Sequence, residues 1–361
     1  MIHRLQTVLP FLLLAIALVV TSVSPVTAQA VEGSVPGGTT AAAAADAELW
    51  RAIRQGGNFT STSQNGTAGL LIQSQGHTWQ QFRDGPLSMV TAIVLGGIAI
   101  LLCLFYTLRG RIRIDAGPAG VTIKRFNGLE RAAHWTLACS FIILGLTGLN
   151  LLFGRKVVLP WLGHDAFSAM TLYGKLVHNY VAFAFAASIV IILVLWIAHN
   201  IPNRHDIVWM LRGGGLFGGG HPPARKFNAG QKILFWMIIL CGGSITLSGW
   251  ALLNPFTTTM MADTAIKVNM LTGLSLPTEI SPLQEQQLQA AWHTIMAVVM
   301  MAIVIAHIYI GSVGMEGAID AMTTGDVDLN WAKEHHSLWV EEVEAEEAAA
   351  RRQAPHGTPA E

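Results

Sequence analysis

The stretch "AWHTIMAVVMMAIVIAHIYIG", residues 291–311, is long and apolar enough to cross a bilayer, yet it contains His293 and His307. A polar ring costs free energy in hydrocarbon unless something satisfies it. At a rise of 1.5 Å per residue the two histidines stand roughly 21 Å apart along a helix, and the second falls about 40° short of whole turns from the first. Both rings therefore lie on one helix face, at two levels near opposite membrane surfaces.

The rest of the chain supplies the setting. Of 361 residues, 52% are hydrophobic and only 12% are charged. Soluble domains carry about 25% charge. Together with a mean hydropathy of +0.47, this predicts an all-α integral membrane protein. The formal net charge is zero, which gives no case for nucleic-acid binding. Cys103, Cys139 and Cys241 each sit in an apolar run, with no CxxC or CxxCH, so the chain has no iron–sulfur, zinc or covalent c-type haem motif. The glycine run at 213–223 lacks the GxxxxGK[ST] pattern and gets no nucleotide role.

Residues 1–30 read as a signal peptide, with His3 and Arg4 ahead of "FLLLAIALVV" and the small-residue "AQA" at its end. Residues 31–86 form a polar periplasmic segment. Residues 87–125 hold an extra transmembrane helix and a cytoplasmic loop, 126–315 a bundle, and 316–361 a cytoplasmic C-terminal tail. The expected spans are about 89–108, 133–153, 175–197, 231–253 and 289–313. Lys and Arg crowd the 109–132 and 198–230 loops, whereas 254–288 has only Lys267. The positive-inside rule puts the first two in the cytoplasm and the last outside. That agrees with an exported N-terminus.

Four of the 13 histidines fall within these spans. His134 and His307 lie near the cytoplasmic face, His178 and His293 near the outer face. Such a pairing by depth suits two stacked haems, each held by two imidazoles, with no open iron position and electron transfer as the task. A helix–helix hydrogen bond is the plain alternative for any one of these histidines. A proton-relay transporter would add buried Asp or Glu, and the expected spans contain none. Gly145, Gly148, Gly242, Gly243 and Gly249 would let a flat macrocycle, or simply another helix, come close.

Several stretches resemble a known family. They are "FNGLERAAHW" (126–135), "LVHNYV" (176–181), "AHNIPNRHDIVWM" (198–210), "KFNAGQKILFW" (226–236), "AAWHTIM" (290–296), "IAHIYI" (305–310) and "WAKEHHSLW" (331–339). Together they are similar to the di-haem cytochrome b (gamma) subunits, of cytochrome b556 type, of membrane-bound, quinone-linked formate dehydrogenases. The resemblance covers about 126–340. It implies a four-helix transmembrane bundle with two haem b groups, His178 with His293 on the outer iron and His134 with His307 on the inner one. It also implies a quinone site (menaquinone or ubiquinone) at Asn228, Gly230 and Gln231, of which Asn228 reads equally well as a helix N-cap. The implied partners are a molybdenum or tungsten catalytic subunit that oxidises formate and an iron–sulfur beta subunit. Quinone and the lipid of the bacterial inner membrane complete the setting. The same wider group includes anchors of nickel–iron hydrogenase and thiosulfate reductase, and a haem-free anchor or transporter is the reading from another class. The signal, the outer segment and the first span precede the resembling region.

Overall fold

The structure is a computed structural model that describes residues 74–215 and 220–353. The signal peptide and residues 31–73 of the expected periplasmic segment lie outside the described residues. Residues 74–86 of that segment are helical: α1 (Ser74–Phe82) and a π-helical turn (Arg83–Leu87) run straight into α2 (Ser88–Arg109).

Five helices are long and apolar enough to cross a membrane. Besides α2 they are α3 (Gly128–Val157), α4 (Leu159–Trp196), α6 (Ala229–Leu253) and α8 (Pro282–Tyr309), with the short α5 (Arg204–Leu211) between α4 and α6. The chain is thus an all-helical multi-pass membrane protein. Helix α3 packs on α4, α6 on α8, and α4 on α6, while α2 lies against α8. Phe141, Phe185, Ile189, Cys241 and Met300 fill the space between them. Outward residues such as Ile93, Ile100 and Leu108 of α2 are exposed, as a lipid-facing surface requires.

Three of these helices, α3, α6 and α8, start where side chains satisfy their first amides. Asn127 with Glu130, Asn228 with Gln231, and Ser281 with Gln284 each form a reciprocal capping box. Several helices outrun the spans expected from hydropathy. Their ends carry polar residues such as Gln284 and Glu285, which hydropathy excludes but a helix accepts once it leaves the hydrocarbon. Most of the 154–174 loop is therefore helix, broken at Gly163, where φ is 74°. The 254–288 loop contains α7 (Met260–Thr272), whose first amides, those of Met261 and Ala262, donate to the buried Glu285 carboxylate at 2.7 and 3.2 Å.

The tail docks against the same end of the bundle as the first turns of α3 and α6. β1 (Thr122–Lys124) pairs antiparallel with β2 (Asp326–Asp328), Ile123 opposite Val327, after the short α9 (Asp320–Thr323). Then α10 (Leu329–His335) and α11 (Ser337–Gln353) bury Trp331, Trp339 and Val340 in one cluster with Phe126 and Phe227.

Candidate functional site

The four intramembrane histidines form two pairs. His134, in the second turn of α3, faces His307, in the last turn of α8, with ring centroids 6.2 Å apart and planes at 71°. His178 of α4 faces His293 of α8 at 6.3 Å and 62°. Metal–imidazole bonds of about 2 Å, with each centroid roughly 1 Å behind its nitrogen, give a separation of about 6 Å across one ion. Among the described residues no hydrogen bond joins the rings of either pair.

The hydrogen bonds of the His178 and His293 rings also suit metal ligation. Thr147 Oγ1 donates to the Ile143 carbonyl at 2.8 Å, so it accepts from Nδ1–H of His178, also at 2.8 Å. Ser248 Oγ donates to the Ser244 and Ile245 carbonyls, both at 3.0 Å, and accepts from Nδ1–H of His293 at 3.0 Å. In each ring the Nε2 lone pair is left for a metal, and the hydroxyl fixes the ring's tautomer and tilt. In the His134–His307 pair, Nδ1 of His134 is buried without a protein partner. Of the five glycines singled out from the sequence, Gly148 and Gly249 border the histidines. A Cβ there would sit 3.6 Å from His178 Cε1 and 3.3 Å from His293 Cε1. Gly145 meets Met301 instead, Gly242 meets Ile189 and Phe185, and Gly243 has nothing within 4 Å. The residues present therefore fit two haem groups, one beside His293 near the middle of α8 and one beside His307 in its last turn.

Asn228, Gly230 and Gln231 come together at the start of α6. Oδ1 of Asn228 accepts from the Gln231 amide at 3.0 Å, and Oε1 of Gln231 accepts from the Asn228 amide at 3.1 Å. The cap thus occupies both carbonyl oxygens and leaves both side-chain NH2 groups as donors. Gly230 does not open an empty space, because the Trp209 ring of α5 covers it, 2.9 Å from where a Cβ would be.

Three polar features here were not singled out from the sequence. Glu130, one turn before His134, is buried and accepts from Lys226 Nζ (2.8 Å), Trp196 Nε1 (3.0 Å) and the Asn127 amide (2.8 Å). Lys232, inside α6, pairs with Asp206 of α5 at 2.8 Å and donates to the Ile201 carbonyl at 3.1 Å. Arg125, buried just ahead of α3, donates to the Lys226 carbonyl at 2.8 Å. The N-x-x-E pattern at 127–130 and N-x-x-D at 203–206 were legible signals of helix starts, but not of these ionic partners. The five long helices contain Glu130 and Glu285, both hydrogen-bonded, and the exposed Asp165 of α4; all three lie in the first two turns of their helices, so the middle of the bundle stays free of carboxylates.

Residues 125–325 match the prokaryotic cytochrome b561 family. The chain is also 27% identical, over 229 residues, to the cytochrome b556(Fdn) subunit of the nitrate-inducible formate dehydrogenase of Escherichia coli K12, covering 63% of this chain and 94% of that protein. Against the cytochrome b556(fdo) subunit of the same organism the identity is 27% over 228 residues, 62% of this chain and 93% of the relative. Against the formate dehydrogenase cytochrome b556 subunit of Haemophilus influenzae it is 24% over 216 residues, 59% and 79%. With the family match spanning more than half of the chain and enclosing both histidine pairs, this protein belongs to the prokaryotic cytochrome b561 family, whose members are membrane b-type cytochromes and so imply haem b.

Proposed function

We propose that the chain is the membrane cytochrome b (gamma) subunit of a respiratory formate dehydrogenase. It takes electrons from an iron–sulfur subunit at its outer face and delivers them to quinone at its inner face. The observation that carries this reading is the two pairs of facing imidazoles that His293 and His307 of α8 complete, at 6.3 and 6.2 Å. Haem b, when bound, would supply one-electron redox chemistry. His178 and His293 hold the outer group, with Thr147 and Ser248 fixing their rings, and His134 and His307 hold the inner one. Asn228 and Gln231 donate to the quinone carbonyls from the mouth of α6, where water and protons are within reach. Moving each electron inward across the membrane stores about 2.3 kcal/mol per 100 mV. The likeness to formate dehydrogenase subunits supports the same reading.

The test is haem content. Pyridine haemochrome analysis should give two haems per chain, falling towards one in each of His134→Ala, His178→Ala, His293→Ala and His307→Ala. A full complement in any variant removes that histidine as a ligand. Activity of the intact complex on formate and on hydrogen separates this reading from a hydrogenase anchor.

A further inference from the structure

Arg125 stands beside the inner mouth with its charge unanswered. It is 4% exposed, and no carboxylate pairs with it among the described residues. Nη2 donates to the Lys226 carbonyl at 2.8 Å and, at 3.4 Å, to Oε1 of Gln231. Nε and Nη1 are buried with no hydrogen-bond partner. The rings of Phe126, Trp331 and Trp339 enclose the guanidinium at 5.4, 5.0 and 5.5 Å.

The surrounding acids are already engaged. Glu130 holds Lys226, Glu342 holds Arg225, and Glu334 accepts from the Asp115 and Ala116 amides. His336 adds no second cation, because burial and the Arg125 charge hold its imidazole well below its ordinary range. Burial lowers the Arg125 guanidinium to about 9, which leaves it cationic at neutral pH. A buried cation without a counter-ion is costly, and that cost is offset wherever negative charge arrives beside it.

The quinone site proposed above is where such charge arises, since the ring oxygens become negative when electrons arrive ahead of protons. We propose that Arg125 makes the inner mouth selective for the anionic form of the quinone ring, by turning the Gln231 carboxamide through its Oε1 and by placing a fixed cation behind it. The inference rests on the quinone reading of Asn228 and Gln231. In it, Arg125 is a positioning residue, and the C-terminal tail supplies two of the three rings that hold it.

Binding can be measured by equilibrium dialysis on the purified complex with two probes. One is a hydroxynaphthoquinone ionised at neutral pH; the other is its uncharged methyl ether. Arg125→Gln should weaken the anionic probe about tenfold more than the ether, the order expected for one charge acting through a partly polar medium. Gln231→Glu keeps the cap acceptor and the cation but pairs the two, and should cost the anionic probe a similar factor. It decides the matter if Arg125→Gln fails to assemble. Equal effects on both probes, or none, overturn the role of Arg125. If Asn228→Ser leaves the binding of both probes unchanged, the quinone mouth itself is misplaced, which is a separate failure.

Discussion

Replacing Asn228 by serine separates two roles that a leucine would destroy together. Oδ1 of Asn228 caps α6 by accepting from the Gln231 amide at 3.0 Å, while its NH2 group is the donor proposed for a quinone carbonyl. Asn228→Leu loses the cap, at a cost of about 1 kcal/mol, and the donor as well. Asn228→Ser retains an oxygen that caps nearly as well and loses only the carboxamide NH2. Leaving one carbonyl without its donor costs roughly 1–3 kcal/mol, or about 5- to 150-fold in affinity. The serine variant should therefore melt within about 0.5 kcal/mol of wild type and keep both haems. Reoxidation of its reduced b haems by added quinone, followed by stopped flow, should slow at least fivefold at limiting quinone. The leucine variant should show the same kinetic defect and a lower melting temperature besides. If serine reoxidises at the wild-type rate, Asn228 is a helix cap and nothing more, and any slowing in the leucine variant is a folding effect.

Two more outcomes are expected. Thr147→Val and Ser248→Ala remove the acceptors at 2.8 and 3.0 Å from His178 and His293, so redox titration should show the outer haem's potential moving while the inner one stays put; an unchanged outer potential in both refutes the ring-fixing role. In the tail, burial and His221 hold the His335 imidazole down to about 4, and His336 is also lowered. Groups buried neutral stabilise above their unfolded value of 6.5, and that stability is lost as pH falls from there through the folded value. Trp331 and Trp339 fluorescence should accordingly report tail release between about pH 6.5 and 4, and a flat signal over that window excludes the coupling.

The sequence by itself determined the membrane class, the number of spans from 74 onward and the spacing of His293 and His307 along one helix. All three follow from one-dimensional quantities: apolar run length, a 1.5 Å rise and a 100° turn per residue. His293 and His307 share a face of α8 because of helix geometry alone, before any neighbour is placed. Helix ends were partly legible, since the Asn127 and Asn228 boxes depend on residues three apart. Their full reach was not, because hydropathy registers lipid and overlooks polar helix that continues into water.

Only the tertiary structure decided which side chains meet across helices. That Thr147 and Ser248 meet the His178 and His293 rings, and that Trp209 covers Gly230, depends on the rotation of α3, α5 and α6 about their own axes. Interhelical packing sets that rotation, and no local pattern encodes it. The same holds for Glu130 with Lys226, 96 residues apart, and for Arg125 under Trp331 and Trp339. A charged residue read from sequence is presumed solvated, because burial becomes visible only when distant segments close over it.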